Sequence, residues 1–403
     1  MTTSTPAEHT GTDWTGVALG LALAVLSAFQ MLKLAPALPL MIAAYDYSYI
    51  LSGALMAIFA AAGLVLTAPL GRLMERWPGL ILGVGFATMA LGNLILLADA
   101  EQGAVALVGR GFGGVGYAVL ALAGPVITNR SASTDHLPIV AGLVAAWVPA
   151  GQIVALAIAW PFLDAGHWQA IWWAALVLTG LVAVCVWMRR DATLPLISRS
   201  PDNPNQTPPN RSEWIVLMTA AGVFGIWAGQ YLAFMTWLPK NLVSEHGLDP
   251  DTAALINLIP VLGVLATSIL SGFLLRAGLS YTALFFGATA LQVPIWLYAH
   301  ALDPVPALVA IAVYGIACGI TPACLFAVPG RLLGGDRVSP WAFAPIMSGR
   351  NIGSLAAPVL LGALIGNDDW TAVWPVFAAI TAASALGALW IGLTLARAER
   401  NAT

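Results

Sequence analysis

Apolar segments of about 20 residues follow one another along most of this chain, and few charged residues interrupt them. About 20 residues of α-helix are needed to cross the roughly 30 Å hydrocarbon core of a bilayer. On that measure the sequence predicts twelve transmembrane helices, at residues 15–42, 48–70, 79–99, 103–127, 138–161, 167–188, 213–239, 251–275, 280–300, 304–328, 341–365 and 370–395. The composition agrees, since 59% of the 403 residues are hydrophobic and 9% are charged. Soluble proteins have about 45–50% apolar and about 25% charged residues, so the predicted fold class is an all-α membrane protein.

The predicted helices divide into two sets of six. The only long polar stretch, 189–212, is rich in Pro, Asn and Ser and predicts a flexible linker. It separates an N-terminal half at 15–188 from a C-terminal half at 213–396. Short polar segments, 1–14 and 397–403, complete the predicted organisation.

The two halves carry matching residues at an offset of 200 or 201, which indicates an internal duplication. The pairs are Gln30 and Gln230, Pro39 and Pro239, Gly71 and Gly272, Leu73 and Leu274, and Ala87-Thr88 and Ala288-Thr289. Parallel repeats of six helices place a solute site near the membrane midplane between the halves, and the halves rock to give alternating access.

The distribution of Lys and Arg predicts the orientation in the membrane. Of the 16 Lys and Arg, three lie inside predicted spans and 12 of the other 13 fall on one side if both termini are cytoplasmic. Lys240 is the exception on the opposite side. An excess of positive charge marks the cytoplasmic side, so we expect a multi-pass protein of the inner membrane with both termini inside the cell.

Three cations, Lys33, Arg110 and Arg350, lie within apolar helices, and no Asp or Glu lies at a comparable depth. A charge inside a bilayer span costs roughly 2.5–3.5 kcal/mol on insertion scales and commonly marks a ligand site or pathway. A small anionic solute is the simplest partner for these cations. Neither a cofactor nor a metal is expected.

Arg350 is the best candidate for binding that anion. It lies roughly 14 Å into its span at 1.5 Å per residue, close to the midplane. Its planar fork can bind a carboxylate or oxyanion through two hydrogen bonds, and Asn351 follows it in the chain. The alternative is that Arg350 binds backbone carbonyls or a neighbouring side chain of the C-terminal half.

Other candidates for solute contact are polar or aromatic. Gln30 lies one turn before Lys33 on the same helical face and suggests a hydrated cavity wall, although Lys33 can also extend to the headgroups. In the seventh span, Gln230 and Tyr231, with Trp227 one turn earlier, can supply hydrogen bonds and an aromatic wall, or simply pack.

Two motifs resemble those of the major facilitator superfamily. The turn Gly71-Arg72-Leu73-Met74-Glu75-Arg76-Trp77-Pro78-Gly79 is similar to its G-x-L-x-D-R-x-G-R signature, with Glu75 in place of Asp and without the final Gly-Arg. The run from Arg110 to Gly116 is similar to its R-x-x-Q-G-x-G motif, with Gly113 in place of Gln.

The resemblance implies twelve helices in two halves and a functional monomer. It also implies that Gly71, Leu73, Glu75 and Arg76 take part in gating, through a charge network that breaks as the halves rock. Arg110 would face the cavity or a helix interface, and contact with solute or with backbone carbonyls are both open.

A narrower likeness points to the cyanate/nitroimidazole-type permease branch, which implies a small-anion solute. It rests on Trp237-Leu238-Pro239, Glu245-His246-Gly247-Leu248 and the run from Gly319 to Leu325.

These observations favour a transporter of a small organic or inorganic anion. Since all 19 Asp and Glu fall in predicted loops or tails or at the first or last residue of a predicted span, anion exchange or uniport is favoured over proton coupling. An exporter of hydrophobic or cationic compounds is the first alternative, suggested by Pro149-Ala150-Gly151. The second alternative is a membrane sensor or assembly factor, which would need a soluble domain that this sequence does not predict. The sequence has no nucleophile–base pair that would suggest an enzyme and no basic patch that would suggest binding to nucleic acid.

Overall fold

Helices dominate the computed structural model, which describes residues 11–163, 167–198, 208–244, 246–248, 252, 256, 258–298, 304–334, 337–338, 340–365 and 373–402. No strand occurs in these residues. The helices are α1 Trp14–Leu32, α2 Leu34–Tyr45, α3 Tyr49–Arg76, α4 Pro78–Ala98, α5 Gly103–Arg130, α6 Leu137–Ala145, α7 Trp147–Leu163, α8 Gln169–Met188, α9 Arg190–Ile197, α10 Arg211–Ser244, α11 Leu258–Arg276, α12 Tyr281–Tyr298, α13 Pro304–Leu333, α14 Pro340–Ile365 and α15 Val373–Ala402.

Nine helical segments in the described residues are long and apolar enough to cross a membrane, and a bent pair makes ten. The all-α membrane fold is therefore confirmed, whereas the count of twelve spans and the side of the termini stay predictions. The beginnings of the eighth and twelfth predicted spans, residues 199–207 of the predicted linker, and Glu245 lie outside the described residues.

Two predicted spans are each divided into two helices. The first is interrupted at Lys33, between α1 and α2, and the fifth bends by 43° between α6 and α7. Proline explains both breaks because it lacks the N–H that would bind the carbonyl four residues earlier. Pro36 follows the first break, and Pro149 follows the second.

The linker was predicted to be flexible, but its first part is helical. Helix α9 packs on α4 and α5, with Thr193 and Ile197 buried. Leu194 faces Gly79 at the start of α4. The prediction was therefore wrong for these eight residues, because apolar side chains within the polar stretch pack against α4 and α5.

The halves meet along two seams, where α3 packs against α14 and α6 packs against α11 and α13. Small residues allow the close approach in the second seam. A Cβ atom on Gly142 would lie 2.6 Å from the Ser268 carbonyl oxygen, and one on Gly272 would lie 2.5 Å from the Pro138 carbonyl oxygen.

One end of the bundle, which we call the arginine-rich end, carries Arg130, Arg189 and Arg337. Arg130, at the end of α5, donates to the Leu196 carbonyl (2.7 Å) and also to the Val338 carbonyl across the boundary between the halves. Arg337 pairs with Glu213 of α10 at 2.9 Å, and this hydrogen bonding raises the pKa of Arg337. The two halves are thus joined by direct contacts at this end.

Candidate functional site

A cavity lies between the halves, bounded by α6 and α7 on one side and by α10, α11, α13 and α14 on the other. Its volume is about 30 Å³, which is room for very few water molecules. Ala145 and Val264 line it and lie about one turn from Gly142 and Ser268, so the α6–α11 seam closes the cavity toward the arginine-rich end.

Arg350 provides the charge of this cavity. Its side chain is buried, with 4% exposure, and Nη1 donates to the Tyr117 hydroxyl at 2.6 Å and to Asn351 Oδ1 at 3.3 Å. The guanidinium lies 5.1 Å from the centre of the Trp147 ring. Tyr117 and Trp147 belong to the N-terminal half, so Arg350 links the halves. Its Nε and Nη2 atoms make no hydrogen bond to a described residue, and no described carboxylate pairs with it.

Aromatic side chains form the rest of the wall. Trp227 and Tyr231 stack with their centroids 5.5 Å apart and 6° between their planes. Trp227 Nε1 donates to the Cys318 carbonyl at 3.0 Å, so its polar atom is occupied and the part of its ring that lines the cavity is apolar. Phe224 packs edge-on against Phe326 at 5.5 Å. The wall is therefore apolar, with the polar groups concentrated around Arg350.

Lys33 and Gln30 lie in a separate cluster inside the N-terminal half. Lys33 is 1% exposed, and its Nζ donates to Gln30 Oε1 at 2.6 Å and to Asn93 Oδ1. The ammonium lies 5.0 Å from the centre of the Trp172 ring, and Gln30 Nε2 donates to Thr179 Oγ1 at 2.9 Å. This N-half amide cluster joins α1, α4 and α8, and Lys33 does not extend to the surface.

Arg110 binds backbone oxygens. It donates to the carbonyls of Leu55 at 3.0 Å, Gln30 at 3.1 Å and Met31 at 3.2 Å, and its guanidinium lies 4.0 Å from the Phe59 ring centre. Two of these carbonyls belong to the last turn of α1, beside the break at Lys33. The sequence leaves two roles open for Arg110, contact with solute or with backbone carbonyls, and in this structure it contacts backbone carbonyls.

Gln230 belongs to a cluster in the C-terminal half that repeats the N-half amide cluster. Its Oε1 accepts from Trp296 Nε1 at 2.7 Å and from Thr381 Oγ1 at 2.6 Å, and its amide donates to Gln292. This C-half amide cluster joins α10, α12 and α15. The structure therefore brings together Arg350, Asn351, Trp227 and Tyr231 near the cavity and places the other four candidates elsewhere.

Two residues that contact Arg350, Tyr117 and Trp147, were not predicted. Tyr117 lies seven residues after Arg110, two turns along the same face of α5, and this spacing was a usable signal. Trp147 gave none, since it is one of 16 tryptophans. The described residues contain no group of three His, Cys, Asp or Glu that could hold a metal.

The family is decided by comparison with known families. The model of the Major Facilitator Superfamily matches residues 19–341, about four-fifths of the chain. The chain belongs to the Major Facilitator Superfamily (MFS). Since this family consists of transporters, the predictions of a multi-pass membrane transporter and of a protein that is not an enzyme are confirmed.

Known relatives and solved structures agree with this MFS assignment. The chain is 28% identical over 127 residues to the "Uncharacterized transporter YgaY" of Escherichia coli O157:H7, a match that covers 32% of this chain and 31% of that protein. The human organic anion transporter MFSD10 has the same fold, with a TM-score of 0.77 at 13% identity over 95% of this chain and all of that one. The E. coli fucose:proton symporter FucP gives a TM-score of 0.69 at 14% identity, over 94% and 98% of the two chains.

The MFS-like turn lies at the end of α3. Gly71 is buried, Leu73 is 38% exposed and Glu75 is half-buried. Arg76 is exposed, and its guanidinium lies 4.8 Å from the Trp77 ring centre. The gating role of these residues stays a prediction.

Proposed function

We propose that this MFS protein transports a small anion by alternating access and that Arg350 binds the anion. The observation that carries the proposal is a buried guanidinium between the halves whose Nε and Nη2 have no partner among the described residues. Leaving a buried charge uncompensated is strongly unfavourable. An anion that enters the cavity supplies the missing negative charge and accepts hydrogen bonds from the Nε and Nη2 groups.

The neighbours of Arg350 suit this role. The Tyr117 hydroxyl and Asn351 hold one edge of the guanidinium. This leaves the other edge for solute, and a fixed guanidinium binds an oxyanion with little further loss of side-chain entropy. We assign to Trp227 and Tyr231 the contact with the apolar part of the solute.

The closed arginine-rich end belongs to one state of an alternating-access cycle. We propose that the α6–α11 seam separates in the other state and connects the cavity with the arginine-rich end, which we assign to the cytoplasm. The cavity of about 30 Å³ must widen for this, which fits the rocking of two halves. Direct solute contact of Gln30, Lys33, Arg110 and Gln230 stays a prediction, since these residues are bonded inside their own halves here.

The positions of the carboxylates support a proposal for how transport is driven. The described Asp and Glu residues lie in loops or in the terminal turns of helices, so none stands ready to carry a proton beside the cavity. Anion exchange or uniport is therefore the proposed mode, in a functional monomer of the inner membrane. The human neighbour MFSD10 is described as an organic anion transporter. That description agrees with an anionic solute, although the likeness shows the fold alone.

The test uses the detergent-purified protein in a thermal-stability screen with acetate, benzoate, sulfate, fucose and tetraphenylphosphonium. A ligand at a hundred times its Kd adds about 2.7 kcal/mol and raises the melting temperature visibly. We expect stabilisation by an anion in the wild type and in Arg190→Gln, an exposed control, and its loss in Arg350→Gln. Uptake of that anion into proteoliposomes is expected to show the same pattern.

The aromatic wall favours one alternative, an exporter of hydrophobic or cationic compounds. Stabilisation by tetraphenylphosphonium alone, equal in the wild type and in Arg350→Gln, would establish that alternative and end the anion proposal.

A further inference from the structure

Among the described residues that line the cavity, Arg350 is the one charged side chain, and neither of the other two buried cations can share a ligand with it. Lys33 is enclosed by Gln30 and Asn93, and Arg110 is committed to three backbone carbonyls. A dianion bound here would keep one charge uncompensated in an apolar surrounding, which is very unfavourable. The charge of the cavity therefore matches a monoanion.

A buried hydroxyl lies beside that charge. Ser354 is four residues after Arg350, on the same face of α14, and both line the cavity. Its Oγ atom is buried and has no hydrogen-bond partner in the part of the chain that the structure describes. An unpartnered buried hydroxyl costs about 1–3 kcal/mol. The guanidinium edge and this hydroxyl together can serve the two oxygens of one carboxylate.

The remaining wall is aromatic. Trp227 and Tyr231 stack with nearly parallel rings, and the wall is extended by Phe224, tilted by 43° to Trp227, and by Phe326, edge-on to Phe224. Trp227 has already used its only donor on the Cys318 carbonyl, so the wall offers apolar ring atoms and few hydrogen bonds. Such a wall rewards a planar apolar group through burial and ring stacking, whereas a fully hydrated inorganic anion gains little from it.

We infer that the solute is a monocarboxylate with a planar apolar body, such as an aromatic acid, held by Arg350 and Ser354 at its carboxylate and by Trp227 and Tyr231 at its ring. The inference rests on the proposed function and names the solute class of the same site. Because the cavity is only about 30 Å³, binding belongs to a more open conformation in which the walls separate.

The test is a calorimetric titration of the full-length protein with benzoate, acetate, cyclohexanecarboxylate, sulfate and benzamide. Benzoate is expected to bind tighter than acetate by on the order of tenfold or more, because burying a ring removes apolar surface from water. Cyclohexanecarboxylate, which has similar size but no flat face, is expected to bind more weakly than benzoate. Neutral benzamide and divalent sulfate are expected not to bind.

Variants separate the two ends of the site. Trp227→Leu is expected to bring the affinity for benzoate close to that for acetate, and Ser354→Ala to weaken both by several-fold. Trp160→Leu removes a tryptophan that is 79% exposed and serves as the matched control without effect. The ligand series on the wild type decides the question even if a variant fails to fold.

Two failures are distinguishable. Equal affinity for acetate and benzoate, or preferred binding of sulfate, would overturn the inference on solute class while the anion proposal stands if Arg350→Gln abolishes that binding. Binding of no anion, or anion binding that survives in a folded Arg350→Gln protein, would remove both.

Discussion

The three buried cations of this transporter have three different surroundings. Arg110 is satisfied by backbone carbonyls, and Lys33 by the side-chain amides of Gln30 and Asn93. Arg350 lies beside a cavity and keeps donors that have no partner in the described part of the chain. Burial and charge are common to all three, so the difference lies in which acceptors the neighbouring helices present. Only the last arrangement leaves room for a ligand.

Lys33 gives a prediction about stability because the C-terminal half repeats its cluster without a charge. There, Ala233 occupies the equivalent position and the Trp296 indole donates to the glutamine instead. Burying a charge that has no counter-charge is costly, and an apolar residue of similar volume removes that cost. The melting temperature of Lys33→Met is therefore expected to stay near that of the wild type. The variant no longer bears the free-energy cost of a buried charge, but Asn93 loses a hydrogen-bond partner, and the two effects offset each other.

The paired variant is Gln30→Leu, which keeps the charge of Lys33 and removes one of its two acceptors. It is expected to unfold more easily by about 1–3 kcal/mol, because Lys33 and Thr179 each lose a buried partner. Thermal unfolding of both proteins in detergent is the measurement. A Lys33→Met protein less stable than Gln30→Leu would contradict this account.

At the level of helices, the sequence predicts the order and approximate limits of the segments well, because length and apolar content determine what a bilayer accepts. It predicts the duplication through Gln30 and Gln230. It misses the partners Asn93 and Gln292, because an amide on the facing helix is recognised only once the packing is known. It also misses α9, whose helical state depends on the surface formed by α4 and α5.

The crossing of α10 and α14 depends on glycine, which gives a second prediction. A Cβ on Gly225 would lie 2.8 Å from the Gly349 carbonyl oxygen, whereas Gly222, three residues earlier on the same helix, has nothing within 4 Å. Gly225→Val is expected to lower the free energy of unfolding by about 1–3 kcal/mol through overpacking. Gly222→Val is expected to have little effect or to stabilise α10 slightly.

Thermal melting of the two valine variants side by side tests the role of this crossing. Arg350 lies one residue beyond Gly349, so Gly225→Val is also expected to weaken anion binding by displacing the guanidinium. Equal melting temperatures for the two variants would show that the backbone approach is dispensable.

For the whole molecule, the candidate site is only partly predictable from the sequence. Charge within an apolar span indicates Arg350, and Asn351 is its neighbour in the chain. Trp227 and Tyr231 are indicated instead by their place beside Gln230 in the seventh span. Tyr117, from the other half, comes to Arg350 only when α5 and α14 meet. A site between two halves takes residues far apart in the chain, and their pairing is a property of the assembled conformation.

That conformation is closed at the arginine-rich end. Arg130 contributes contacts to the closure, and their removal tests how the closure is held. Its side chain donates to the carbonyls of Leu196 and Val338, which joins the linker and the C-terminal half to α5. Arg130→Gln removes these bonds. Losing about 1 kcal/mol from the closed state raises the population of the open state about fivefold.

Accessibility of the α6–α11 seam reports this population. Ser268 is fully buried in the seam, so a cysteine placed there in a Cys185→Ser background reacts with a polar maleimide only when the seam opens. The modification rate is expected to rise about fivefold in Arg130→Gln and to stay unchanged in Arg190→Gln, which alters an exposed arginine at the same end. The parent protein without the new cysteine measures the background from the two buried cysteines. An unchanged rate in Arg130→Gln would mean that helix packing along the seam, rather than this arginine, holds the end closed.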